Sequence, residues 1–283
     1  MPAAIRFSPL SRALGARVSG IDLSRPLPQT DYEKVHAAWM RFGILLFRDQ
    51  AVTPEQHVAF AQRFGELMVY TRSENAHSTF PELLVLSNVV DNGKPIGAAI
   101  SGRYWHTDGH FLDSPPAGSL LHGKEVPPEG GDTFFASMTA AYDALSPRLR
   151  ARIDALRIVI DRVQTLRYHY PERAAPPANQ KDKWPDKVQP LVRTHPVTGR
   201  KALYLGGLVP WRIVGLPVSR SEPLMKALQR VALNPRFQYR HHWRAGDAIL
   251  WDNRCVIHRA TDYDMARFRR MMVRATIAGD AAY

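Results

Sequence analysis

His106 and Asp108 lie one residue apart in the run Tyr104-Trp105-His106-Thr107-Asp108-Gly109-His110. His258 lies far downstream, at the end of Trp251-Asp252-Asn253-Arg254-Cys255-Val256-Ile257-His258. Two imidazoles and one carboxylate form a three-donor face for a divalent iron and leave the opposite face open to oxygen and an organic co-substrate. In a β-strand, residues i and i+2 project together. The spacing therefore predicts that His106 and Asp108 share one face of a strand, or of its end, within 102–111. His258 must then come from a second strand folded back beside the first. The triplet alone is a weak signal, because a chain with 11 histidines and 26 acidic residues gives chance matches. Its weight comes from its companions.

Gly130-Gly131-Asp132-Thr133-Phe134-Phe135-Ala136-Ser137 reads as a turn entering a strand, with Thr133, Phe135 and Ser137 on one face. In the run from Arg269 to Ile277, alternation puts Arg270, Met272, Arg274 and Thr276 on one face. Two arginines on a buried face need anions, since an unpaired buried charge is costly. A guanidinium fork suits a carboxylate or sulfonate, although pairing with the chain's own Asp or Glu is the plainer reading. Trp251-Asp252-Asn253 supplies a sharp turn before His258.

Taken in order, these segments resemble the taurine/2,4-dichlorophenoxyacetate dioxygenase (TauD/TfdA) family of non-heme Fe(II), 2-oxoglutarate-dependent enzymes. The resemblance also runs through Leu14-Gly15-Ala16-Arg17-Val18-Ser19-Gly20, Phe64-Gly65-Glu66-Leu67, Val192-Arg193-Thr194-His195-Pro196 and Gly199-Arg200. It implies that His106, Asp108 and His258 are the catalytic iron ligands and that Thr133 and Arg270 hold the distal carboxylate of 2-oxoglutarate. The stretch from His258 to Arg270 is longer than the family pattern, which leaves Arg269 as the alternative to Arg270; alternation favours the Arg270/Arg274 pair. Arg274 matches a position that binds the substrate's anionic group or supports the co-substrate. Tyr70 stands where taurine-type enzymes carry a substrate-binding histidine, or is an ordinary loop aromatic. Gly102 stands where they carry a polar amide. Both departures argue against taurine itself. The implied reaction consumes O2, produces succinate and CO2, and hydroxylates a C–H bond of a small anionic substrate: a sulfonate, sulfate ester, aryloxyalkanoate or amino-acid-like acid. Asp108 argues against halogenation, because related halogenases lack this carboxylate. Oxidative tailoring in secondary-metabolite biosynthesis is the nearest alternative, and a nucleic-acid demethylase a more distant one.

The elements expected to position these residues are short strands with decorating helices. Helices are predicted over Asp31–Phe42, from a Thr53/Gln56 capping box with Pro54 to about Phe64, from Ser146-Pro147 toward Leu156, and over Ser221–Leu233. Strands are predicted at Ile44–Phe47, Leu83–Leu86, Ser119–His122, Thr133–Ala136, Leu203–Leu205, Ala248–Trp251 and Met271–Ile277. This is the pattern of a mainly β fold with flanking helices, a double-stranded β-helix (jelly roll, cupin-like), built as a single domain over 1–283. The Pro-, Lys- and Ala-rich stretch at about 168–192 reads as a lid or insert over its mouth, or equally as a surface loop. His241 and His242 are adjacent and would face opposite ways, a poor chelate. His110 reads as a residue behind the ligands or facing substrate, unless Gly109 turns the chain. His195 reads as structural.

The formal charge of +12 raises nucleic acid as a partner. The basic residues are dispersed without a long Lys/Arg block, which disfavours that partner. No apolar run approaches the length of about 18 residues that a membrane span needs. No signal-peptide pattern is expected at the start, and the single cysteine, Cys255, excludes an intrachain disulfide and fits a reducing cytoplasm. The family resemblance further implies a homo-oligomer.

Overall fold

The computed structural model describes residues 4–69, 75–99, 101–171, 182 and 184–283. A hairpin of β1 (Arg6–Pro9) and β2 (Ala16–Ser19) leads into helix α1 (Gln29–Phe42). The helix buries Val35, Ala38 and Trp39, as its periodicity predicts. It stops at Gly43, whose φ of 69° lets its N–H return to the Trp39 carbonyl. Strand β3 (Ile44–Phe47) follows, buried on both faces. Helix α2 (Pro54–Gln62) opens with the predicted capping box: Thr53 Oγ1 accepts from the Gln56 N–H at 3.2 Å, and Gln56 Oε1 accepts from the Thr53 N–H at 2.9 Å. It ends two residues before the predicted Phe64, because the Arg63, Phe64 and Gly65 N–H groups tighten to partners three residues back.

Strand β4 (Leu83–Ser87), a small hairpin of β5 (Val90–Asp91) and β6 (Lys94–Pro95), and the long strand β7 (Gly118–Glu125) come next. Strand β8 (Thr133–Ser137) runs directly into α3 (Met138–Asp143), with the Ser137 side chain as cap. A second group of elements follows: α4 (Pro147–Ile153), β9 (Arg157–Ile160), α5 (Arg162–His169), β10 (Lys187–Pro190), β11 (Val192–Thr194), β12 (Lys201–Leu203), β13 (Arg212–Ile213) and α6 (Val218–Ala232). Helix α6 starts three residues before the predicted Ser221, and Pro223 sits inside it. The predicted strand at Leu203–Leu205 lies at Lys201–Leu203 instead. The chain closes with β14 (Gln238–His241), β15 (Ala248–Asp252), β16 (Val256–Ala260) and β17 (Met271–Ile277).

The seven-stranded sheet has the order β1-β2-β3-β15-β7-β17-β4, and a three-stranded sheet the order β14-β8-β16. Every pairing in them is antiparallel except β2 with β3. Alternation divides the large sheet cleanly. Leu45, Phe47, Leu120, Leu250 and Val273 face α1 and α2. Ile44, Leu46, Leu121, Ile249, Trp251 and Met272 face the small sheet and meet Phe135 and Val256. This is the expected jelly roll, two sheets with a shared interior and helices outside. A further core between α3, α6 and β9–β13 gathers Ile158, Leu203, Trp211 and Met225. No described helix is long and apolar enough to cross a membrane. Residues 172–181 and 183, the centre of the expected lid, lie outside the described residues, as does Tyr70.

Candidate metal centre and its anion pocket

His258 is the third residue of β16, paired with Phe135 of β8, and its ring enters the shared interior beside Trp251 at a centroid distance of 4.7 Å. His106 reaches it by a two-way backbone bridge: the His106 N–H donates to the His258 carbonyl at 2.9 Å, and the His258 N–H donates back at 3.0 Å. The two rings stand 4.3 Å apart. The expected strand through 102–111 reduces to this one bridge. The chain turns immediately after Asp108, because Gly109 takes a φ of 59° and a Cβ there would meet Pro116 Cδ at 2.6 Å. The same-face pair therefore arises from a bridge and a turn.

Asn253 holds that turn. Its Oδ1 accepts from the Asp108 N–H at 2.9 Å, and its Nδ2 donates to the carbonyls of Asp108 (2.8 Å) and Pro116 (3.0 Å). Read in the sequence only as part of a turn, Asn253 is a positioning residue for the site; its amide in a buried turn was the available signal. The Asp108 carboxylate accepts from Arg274 Nη1 at 2.9 Å on Oδ1 and from Ser119 Oγ at 3.1 Å on Oδ2. His106 Nε2 is 3.6 Å from Oδ1. Burial would push this carboxyl upward. The Arg274 guanidinium and the two histidines together outweigh it and hold the group well below the ordinary carboxylate range.

His106 Nδ1 donates to the Tyr104 carbonyl at 2.8 Å, which leaves Nε2 as a bare lone pair aimed at the centre. His258 is pushed down to about 3 by burial and by repulsion from His106, so it stays a neutral imidazole. One donor atom each from His106, Asp108 and His258 falls within 4.8 Å of the others. Two imidazoles and one ionised carboxylate on one side of a pocket match the donor set that divalent iron takes.

The same pocket is lined by Thr133, Arg270, Arg274, Leu121 and Trp251. Arg270 precedes β17, and its N–H donates to Asn88 Oδ1 at 2.8 Å; Asn88 Nδ2 also ties the carbonyls of Met265 and Phe268. Burial lowers the Arg270 guanidinium below its ordinary value. Among the described residues its Nε is buried without a partner, and Nη2 reaches only the Gly131 carbonyl at 3.4 Å. Arg269 points outward into an ion pair with Glu125 at 2.8 Å, so the pocket contains the arginine that alternation favours. Thr133 Oγ1 accepts from Trp243 Nε1 at 2.9 Å, which leaves the hydroxyl proton for an incoming acceptor. Trp243 was not singled out in the sequence. Gly102 lines the rim with a φ of 68°, and a Cβ there would meet His106 Cε1 at 3.3 Å.

A second cluster, His195, Asp252 and Cys255, also brings donor atoms together. Asp252 is already occupied: His195 Nε2 donates at 2.9 Å and Arg254 Nη2 at 2.6 Å. This buried ion pair braces the turn into β16, in keeping with the structural reading of His195. His110 is buried, donates from Nδ1 to the Thr107 carbonyl, and is pushed down to about 4 by burial. His241 is buried and His242 exposed, as adjacent strand positions require.

A family model described as "Taurine catabolism dioxygenase TauD, TfdA family" matches residues 6–276. The (S)-phenoxypropionate/alpha-ketoglutarate-dioxygenase of Sphingobium herbicidovorans is 35% identical over 295 residues, covering 100% of this chain and 98% of that protein. The alpha-ketoglutarate-dependent 2,4-dichlorophenoxyacetate dioxygenase of Cupriavidus pinatubonensis is 35% identical over 291 residues, covering 97% and 98%. The crystal structure of AAD-2 in complex with Mn(II) and N-oxalylglycine superposes with a TM-score of 0.84 at 33% identity, covering 99% of each chain.

Proposed function

Because the chain belongs to the TauD, TfdA family of dioxygenases, we propose that it is an Fe(II)- and 2-oxoglutarate-dependent dioxygenase that hydroxylates a C–H bond of a small organic oxyanion. The observation that carries this reading is the convergence of His106, Asp108 and His258 beside a half-buried Arg270 whose side chain has no acidic partner among the described residues. His106, Asp108 and His258 would ligate the iron. The Thr133 hydroxyl and the Arg270 fork would take the distal carboxylate of 2-oxoglutarate, a bidentate match that a buried guanidinium favours. Bound together, iron and 2-oxoglutarate supply activation of O2 coupled to release of CO2 and succinate.

The chain's own part is position, charge and dryness. The Tyr104 carbonyl sets the tautomer of His106, Arg274 helps keep Asp108 ionised, and Ser119 helps orient it. Trp251, Phe135 and Leu121 line or back the centre with apolar surface that limits water. Arg274 presents a second cation to the pocket, which supports an anionic substrate. The phenoxyalkanoate-directed relatives support the same class.

The test is oxygen uptake by the Fe(II)-loaded protein with 2-oxoglutarate, across aryloxyalkanoates, sulfonates, sulfate esters and amino-acid-derived acids. Uptake stimulated by one class with matching succinate is the expected result. A metal-loaded protein that neither consumes 2-oxoglutarate nor forms succinate with any of them would refute the reading.

A further inference from the structure

The run that carries His106 is pinned to β16 on either side of residues 103–105, by the Ala260 N–H on the Gly102 carbonyl at 2.7 Å and by the His106–His258 bridge. Between these pins the chain belongs to no strand, and Arg103 is exposed. Yet the lone pair at His106 Nε2 depends on this stretch, because the Tyr104 carbonyl takes the Nδ1 proton at 2.8 Å. A carbonyl on an irregular segment keeps its direction only if the residue that bears it is held. The Tyr104 ring is held, and the contact comes from helix α5.

His169, the last residue of α5, lays its imidazole flat on the Tyr104 ring, with centroids 3.9 Å apart and planes 7° apart. Tyr170 meets the same ring edge-on at 5.7 Å, and the His106 ring lies 5.3 Å from it. The imidazole is fixed in turn, since His169 Nε2 donates to the Gly207 carbonyl at 2.6 Å. The neighbouring Gly206 carbonyl accepts at 3.2 Å from the N–H of Thr107, the residue between His106 and Asp108. The turn at 206–207 therefore ties down both the ligand run and the ring stacked on it. Side chains close on this turn from two sides. A Cβ on Gly207 would lie 3.3 Å from Thr165 Cγ2 of α5 and 3.5 Å from His110 Cε1, and His110 Nδ1 donates to the Thr107 carbonyl at 2.8 Å. The contacts make a closed circuit: from His106 to Tyr104, to His169, to the 206–207 turn, and back to Thr107.

We propose that His169 is a positioning residue for the metal centre: by stacking on Tyr104 it holds the carbonyl that orients His106. This assignment rests on the metal centre of the dioxygenase reading above and adds a residue of α5 to what supports it. His169 touches neither the metal nor the substrate. It acts only through Tyr104, and its bond to Gly207 keeps the stacking ring in place.

The experiment is calorimetric titration of the metal-free protein with Mn(II), alongside the visible absorption of the Co(II)-loaded form, whose bands follow the geometry of the ligands. His169→Ala should weaken Mn(II) about tenfold, the lower end of the loss expected for a partner that supports a ligand, and should alter the Co(II) spectrum. His169→Phe keeps a flat ring and should retain most of the affinity and the spectrum. Tyr104→Leu should weaken Mn(II) as His169→Ala does, and the two together should cost little more than either, because they act as one unit. A His169→Ala protein that matches the unaltered one in both measurements would overturn the assignment. So would a Phe variant as weak as the Ala variant, or losses that simply add in the double variant. If His169→Ala does not fold, Tyr104→Leu decides the matter, and unchanged Mn(II) affinity in that protein would overturn the assignment. Failure of the unaltered protein to bind Mn(II) would overturn the metal centre itself and this assignment with it.

Discussion

At Asp108, burial and charge act in opposite directions, and charge wins because Arg274 Nη1, 2.9 Å away, and the two histidines together outweigh burial. The group is thus a prepared anion that needs a cation on its open side. Asp108→Ala should remove divalent-metal binding and abolish succinate formation. Ser119→Ala should weaken the metal by only the roughly 10–100-fold typical of a lost supporting partner. Metal titration followed by light scattering and competition with a chelating dye would separate the two, and equal losses would refute the division of roles. Arg270 and Arg269 give a second contrast. Arg270→Ala should raise the 2-oxoglutarate requirement by roughly 10–100-fold, the value of a charge-assisted bidentate pair, with the iron requirement little changed. Arg269→Ala, which removes a surface pair with Glu125, should leave both alone. The residue types and the alternation in 269–277 were enough to choose Arg270. Nothing in the sequence indicated that Arg274 would pair with Asp108, because that contact joins β17 to a turn 166 residues away.

Among the elements, the most legible were those whose signals are local. The α1 face, the α2 capping box, and β3 and β17 lie where periodicity and caps put them, since each depends on neighbours within a few residues. The segment 102–111 was misread as strand because alternation was its strongest local signal. The carbonyl and N–H of His258 satisfy only His106, and Gly109 then turns the chain. Helix α5 was missed because its residues carry little amphipathic contrast; only Thr165 is fully buried in it. Asn253→Ala should destabilise the protein by about 2–4 kcal/mol, since it removes three buried hydrogen bonds and leaves backbone groups unsatisfied. Denaturant unfolding of the metal-free protein would measure it, and a change near zero would show that the turn holds without Asn253.

On α2, His57 is pushed down to about 3 by burial, with His122 and Lys124 adding repulsion, while its Nε2 donates to the Leu120 carbonyl. The unfolded chain takes up a proton near pH 6.5, where the folded chain does not. Stability is therefore complete above pH 6.5 and falls as pH drops toward 3, by up to about 1.4 kcal/mol per pH unit. His57→Gln should flatten this limb by roughly 2 kcal/mol between pH 7 and pH 5. An unchanged slope in paired unfolding curves would remove His57 as its source.

At the scale of the whole molecule, the metal would join parts of the chain that are far apart in sequence: the bridge and turn at 106–108 and strand β16. Binding that requires the folded arrangement stabilises it by mass action, about 2.7 kcal/mol at a hundredfold excess over Kd. The thermal midpoint should rise by roughly 5–8 °C with saturating Mn(II), and by nothing in Asp108→Ala. A shift of equal size in both would place the metal elsewhere. The sequence by itself determined the donor types, the H-x-D spacing, the alternation that turns Arg270 and Arg274 inward, and the helix caps. These are set by covalent order and by interactions within a few residues. Only the tertiary structure decided that His106 meets His258 through their backbones, that Asn253 closes the turn under Asp108, and that Trp243 orients Thr133. Those outcomes depend on how two sheets and a helix pack, and packing is fixed by shape and burial summed over distant segments.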